Sequence, residues 1–85
     1  MRALLAAAIV VVFGGVAFAD KSADSSYKEG LAYKAEGKVD EAIGAMERAV
    51  QTNPKHGMAW TSLGGLYKQK KDLAKSIDAY EHAVQ

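Results

Sequence analysis

Few side chains in this chain have the types and spacing that chemistry requires. His56 and His82 have no companion at a metal-ligand spacing, so both read as ordinary solvated histidines rather than as ligands or bases. Asp40 and Glu41 are paired acids, but adjacent carboxylates suit the first turn of a helix, where they stabilise the positive end of its dipole. Gly64-Gly65 is an isolated pair and not a phosphate-binding loop, and no nucleophile elbow, P-loop or HExxH occurs. Lys68-Gln69-Lys70-Lys71 reads as a solvated helix end or, more sharply, as an attractor of anionic lipid. With no cysteine, a lipoprotein anchor, a disulfide and a covalently attached c-type haem are excluded. No catalytic residue, metal or cofactor is expected, and the chain does not read as an enzyme.

The organisation of the chain says more than its reactive groups. Residues 23–51 recur as residues 57–85 at an offset of 34, with nine identities in 29 aligned pairs. Gly30 returns as Gly64, Tyr33 as Tyr67, Lys34 as Lys68, Ile43 as Ile77, Ala45 as Ala79, Glu47 as Glu81, and Ala49-Val50-Gln51 as Ala83-Val84-Gln85. A period of this length belongs to helical-pair solenoids, which present binding surfaces rather than reaction centres. Trp60-x2-Leu63-Gly64-x2-Tyr67, followed by Ser76, Tyr80 and Ala83, resembles one tetratricopeptide repeat. Gly30-x2-Tyr33, then Gly37, Ala42, Met46, Ala49 and Pro54, resembles the repeat before it. The resemblance implies an all-α fold: two helix-turn-helix repeats, 20–56 and 57–85, in a short right-handed solenoid.

Four helices are expected, over residues 25–36, 39–52, 58–70 and 73–85. Ala42 and Ala49 share a face with Ile43, Met46 and Val50, so a neighbouring helix can approach over the alanines. Gly30 and Gly64 recur inside helices at a cost of ~0.5–1 kcal/mol each, which close packing explains. Gly37 suits a left-handed cap, and Asn53-Pro54 ends the second helix. Asp72 suits an N-cap, but Lys71 stands where the first copy has Gly37, so a looser turn is expected there. Trp60, Tyr33, Tyr67 and Tyr80 read as core. Ser26 and Glu29 replace Trp60 and Leu63, which suits an outer, capping repeat.

Residues 1–19 are a different kind of sequence. Met1-Arg2 gives a positive start, residues 3–18 are uncharged and apolar, and Ala17-Phe18-Ala19 fits a signal-peptidase site. The segment reads as a secretory signal. The alternative is an uncleaved membrane anchor, although 16 apolar residues interrupted by Gly14-Gly15 fall short of the ~20 that span a bilayer. Residues 20–85 carry ten basic and ten acidic side chains, so no nucleic-acid partner is expected. A periplasmic location follows if the signal is bacterial, and a membrane-anchored one facing the periplasm if the segment is retained.

The resemblance also implies a partner class. In this family the first helix of each pair lines a concave groove that receives an extended peptide or a helix. That face would hold Tyr27, Lys28, Leu31, Lys34 and Ala35 from the first pair, and Thr61, Ser62, Gly65, Lys68 and Gln69 from the second. Tyr27 and Leu31 would offer an apolar spot, and Lys28, Lys34 and Lys68 would meet carboxylates beside it. Members that clamp a C-terminal carboxylate use asparagine and lysine where this chain has Leu31 and Gly65, Tyr27 and Thr61, so that clamp is not expected. Leu73, Ile77, Tyr80 and Val84 form one apolar stripe on the last helix. With neither a third repeat nor a C-terminal capping helix after Gln85, the stripe is expected to be an open end, available to a second copy or another subunit.

Overall fold

The computed structural model describes residues 22–85, and the expected signal or anchor lies outside them. These residues form four helices: α1 Ala23–Ala35, α2 Val39–Thr52, α3 Gly57–Gln69 and α4 Leu73–Ala83. Their limits depart from the sequence expectation by two residues at most. The helices α1 and α2 form one antiparallel pair, α3 and α4 a second, and α2 packs on α3 to join them. This is an all-α helical solenoid of helix-turn-helix repeats.

Local chemistry explains each boundary. The Ser22 hydroxyl accepts a hydrogen bond from the Ser25 amide at 3.0 Å and caps α1. Gly37 adopts φ 78°, and the amide of Lys38 donates to the carbonyl of Tyr33 at 2.9 Å, a bond that closes a Schellman turn. Asn53 is extended ahead of Pro54, and its side chain accepts from the Lys55 amide at 3.0 Å, which holds the turn between the repeats. Asp72 caps α4 through the Lys75 amide at 3.2 Å.

The turn before α4 departs from expectation. Lys71 does take a left-handed conformation, with φ 64°, yet the turn is not loosened. The Asp72 amide donates to Tyr67 at 2.9 Å, the same bond that Lys38 makes to Tyr33. The hydrogen bonds and the Asp72 cap hold a backbone that lysine itself disfavours.

Within each repeat, one glycine admits one large side chain. A Cβ on Gly30 would lie 2.8 Å from the Met46 methyl, and one on Gly64 would lie 2.6 Å from the Tyr80 ring. Between the repeats, Ala42, Met46, Ala49 and Val50 of α2 meet Ala59, Leu63 and Leu66 of α3 in a single buried core. The Ser76 hydroxyl, buried beneath α3, donates to the Gly64 carbonyl at 2.8 Å, so this small polar residue is satisfied.

Candidate protein-binding surfaces

The proposed groove face lies along α1 and α3. Lys28, Leu31, Lys34, Ala35, Thr61, Lys68 and Gln69 are exposed, whereas Tyr27 and Gly65 are half-buried. Ser62 is buried, so its side chain is part of the packing and not of a groove lining. The Thr61 hydroxyl donates to the Gly57 carbonyl one turn back, at 3.0 Å. Lys28, Lys34 and Lys68 make no ion pair among the described residues and leave their ammonium groups to solvent.

The end of this face is organised by a residue whose role composition concealed. His56 is not a solvated histidine: its side chain is about nine-tenths buried at the start of α3. Its Nδ1 accepts from the Ala59 amide at 3.2 Å, so Nε2 carries the proton and donates to Asp24 at 2.9 Å. The ring also packs against Tyr27, with centroids 5.0 Å apart. One imidazole therefore caps α3, ties it to α1 and holds Tyr27 in place.

His82 is likewise engaged. It stacks on Trp60 with ring centroids 4.2 Å apart and planes 17° from parallel, and its Nδ1 donates to the Asp78 carbonyl at 2.9 Å. The Trp60 indole donates to the Pro54 carbonyl at 2.7 Å, pinning the inter-repeat turn. Lys70 reaches back across the repeats to Asp40 at 3.0 Å, so one of the four residues read as a free basic end is paired. Glu29, in the place of Leu63, pairs with Arg48 of α2. The Trp60–His82, Lys70–Asp40 and Glu29–Arg48 contacts join residues far apart in sequence, which is why residue type and local spacing did not reveal them.

At the far end, Leu73, Ile77, Tyr80 and Val84 are all exposed. Tyr80 is not a core residue as expected, because only the side of its ring against Gly64 is covered. The phenol of Tyr67 does face inward and donates to the Glu47 carboxylate across the α2–α3 junction. Burial, then that hydrogen bond, then the charges of Glu47, Asp72 and Asp78 push its pKa well above the ordinary tyrosine range. Among the described residues no three His, Asp or Glu side chains converge as metal ligands, and no helix is long and apolar enough to cross a membrane.

Comparison with known proteins agrees with this architecture. The tetratricopeptide repeat family matches residues 27–85. The chain is 36% identical over 55 residues to the chloroplastic tetratricopeptide repeat domain-containing protein PYG7 of Arabidopsis thaliana, a match covering 65% of this chain and 18% of that protein. It is 33% identical over 59 residues to anaphase-promoting complex subunit 3 of Schizosaccharomyces pombe, covering 69% of this chain and 9% of that subunit. The chain thus spans less than a fifth of either relative. A profile match over most of its length, on helix pairs that repeat glycine for glycine, shows that the chain belongs to the tetratricopeptide repeat family.

Proposed function

We propose that this chain is an exported, non-enzymatic scaffold that holds together a protein assembly of the cell envelope. Its repeats are a protein–protein interaction module, as the family match supports. Two surfaces carry the proposed contacts: the lysine-bearing face of α1 and α3, and the apolar stripe of α4. The second is the stronger, and one observation carries it. The stripe of α4 is exposed, whereas of its counterparts on α2, 34 residues earlier, Met46 and Val50 are buried in the core shared with α3 and Val39 and Ile43 are half-buried against that core. The occupant that fits α4 is therefore a helix built like α3, with an aromatic, a leucine and a second aromatic at the spacing Trp60-x2-Leu63-x3-Tyr67.

Appending a second copy of residues 52–85 after Gln85, which keeps the 34-residue period, tests this directly. The added first helix would lie on α4, and the thermal midpoint of the chain should rise, because each new repeat interface adds its own stabilisation. Sedimentation of the unextended chain at tens of micromolar should show association that Tyr80→Glu abolishes. A monomer whose midpoint is unmoved by the extension would refute the reading of α4. On the groove face, changing Lys28, Lys34 and Lys68 together to Glu should abolish capture of an acidic peptide, and salt should weaken capture by the unaltered chain, since exposed charges are screened over ~8–10 Å.

The exported location rests on residues 1–19. A second reading is a membrane-tethered structural subunit that keeps this apolar segment and docks its repeats on a larger complex. The mass of the purified protein decides between them: a chain beginning at Asp20 supports export with cleavage, and one beginning at Met1 supports the tether.

A further inference from the structure

A cleft of about 420 Å³ lies where α2 and α4 flank α3, within the size range of ligand sites. Val50 and Leu63 are buried in its floor, and the rings of Trp60 and Tyr67 form its walls. Glu47, Asp78 and Lys75 stand on its rim. On α4 the cleft residues Lys75 and Asp78 project from the side of the helix opposite the Leu73, Ile77, Tyr80 and Val84 stripe, as their spacing of 100° per residue requires. A helix covering that stripe would leave the cleft open.

The charges around the cleft are unbalanced toward acid. Glu47 accepts only the neutral Tyr67 hydroxyl, and the nearest basic group to the Asp78 carboxylate is the His82 ring at 3.6 Å. Among the described residues neither carboxylate has a lysine or arginine partner. The single ammonium at the rim, Lys75, is 3.9 Å from the Asp72 carboxylate. It also lies 5.6 Å from the centre of the Tyr67 ring, so this wall already accommodates one cation. Burial is the largest cause of the raised pKa of the Tyr67 phenol, and the hydrogen bond to Glu47 and the charges of Glu47, Asp72 and Asp78 add to it in the same direction.

We propose that this cleft is a docking site for an arginine side chain presented by a protein partner. The methylene stem of arginine would cover Val50 and Leu63. Its flat guanidinium would lie against the aromatic walls and donate to Glu47 and Asp78 in a geometry that the compact lysine ammonium matches less well. A purely apolar side chain would fill the floor but leave the two carboxylates unpaired, and an acidic one would be repelled by them.

The lone tryptophan of the chain makes the test direct, because Trp60 gives one indole N–H resonance and lines the cleft. The full chain is titrated with N-acetyl-arginine methylamide, with its uncharged isostere N-acetyl-citrulline methylamide, and with N-acetyl-leucine methylamide. The arginine derivative should shift the Trp60 resonance saturably, about tenfold more tightly than citrulline or leucine. Asp78→Asn, a change at an exposed position, should remove most of that advantage, and Lys75→Met should strengthen binding by removing the competing cation. Equal responses to arginine and leucine would overturn the proposal, as would no saturable response to arginine or a response indifferent to both substitutions. Since α4's stripe is untouched by these changes, association through that stripe succeeds or fails separately.

Discussion

The helices α2 and α4 occupy the same place in their repeats and meet opposite fates. Val39, Ile43, Met46 and Val50 correspond to Leu73, Ile77, Tyr80 and Val84. Met46 and Val50 are 0% and 8% exposed, whereas Leu73, Ile77, Tyr80 and Val84 are 61%, 60%, 42% and 84% exposed. Both helices also pack against the first helix of their own repeat, where a glycine admits one edge of Met46 or Tyr80. The inside of a repeat is therefore complete in itself, while the outer stripe of its second helix is buried only by a neighbour. In a solenoid, stability lies in the repeat and in the junction as separate contributions, and a single chain displays both states of the same surface.

Paired substitutions at equivalent positions probe that difference. Met46→Ala removes the largest fully buried side chain and should cost about 2–5 kcal/mol, whereas Tyr80→Ala, at a half-exposed ring, should cost well under this. Thermal melts followed by helix content compare the two, and equal losses would break the distinction between covered and uncovered stripes. Ala49→Leu should cost about 1–3 kcal/mol through overpacking at the junction, while Ala83→Leu, partly exposed, should stay within roughly 0.5 kcal/mol of the parent. A domain of this size has little stability to lose, so the Ala49 variant should melt visibly lower.

Tyr67→Phe sharpens the comparison at the junction itself, since Tyr33 in the first repeat has no carboxylate bonded to its hydroxyl among the described residues. Losing the bond to Glu47 should cost about 0.5–1.5 kcal/mol at neutral pH. The raised pKa means that the folded phenol keeps its proton where the unfolded one has lost it. Its contribution is thus fully present below about pH 10 and declines as pH rises further. Urea melts at increasing alkaline pH should show a shallower decline for Tyr67→Phe than for the parent. The smallest effect is expected from Lys71→Gly, which should stabilise by up to about 1 kcal/mol, the left-handed strain relieved less the freedom glycine has when unfolded. The converse Gly37→Lys should destabilise by a similar amount, and a loss of stability in Lys71→Gly would show that the lysine side chain, not the backbone, holds that turn.

Much of the fold was legible because its signals are local. Gly37, Pro54, Asp72 and the alanine face of α2 each act within a turn or two of themselves, and the helices begin and end where those residues say. The close packing at the glycines within repeats was legible for a different reason: Gly30 and Gly64 stand at the same register of the two copies. His56 was not legible, because histidine is outside the usual set of N-capping residues and its partner Asp24 is 32 positions away. Ser62 and Tyr80 were misplaced for the same kind of reason. A period identifies which residues correspond, but their exposure depends on what lies beside each copy.

By itself, then, the amino-acid sequence determined the four helices, their pairing and the family to which the repeats belong, because hydrophobic period, caps and small residues at close crossings act over one turn or one repeat. Only the tertiary structure decided which apolar stripe is covered, how Trp60, Tyr67, Glu47 and Asp78 come together around one cleft, and that a histidine locks α1 to α3. Those outcomes depend on the angle at which one helical pair meets the next, and burial belongs to the pair of surfaces in contact rather than to either helix alone.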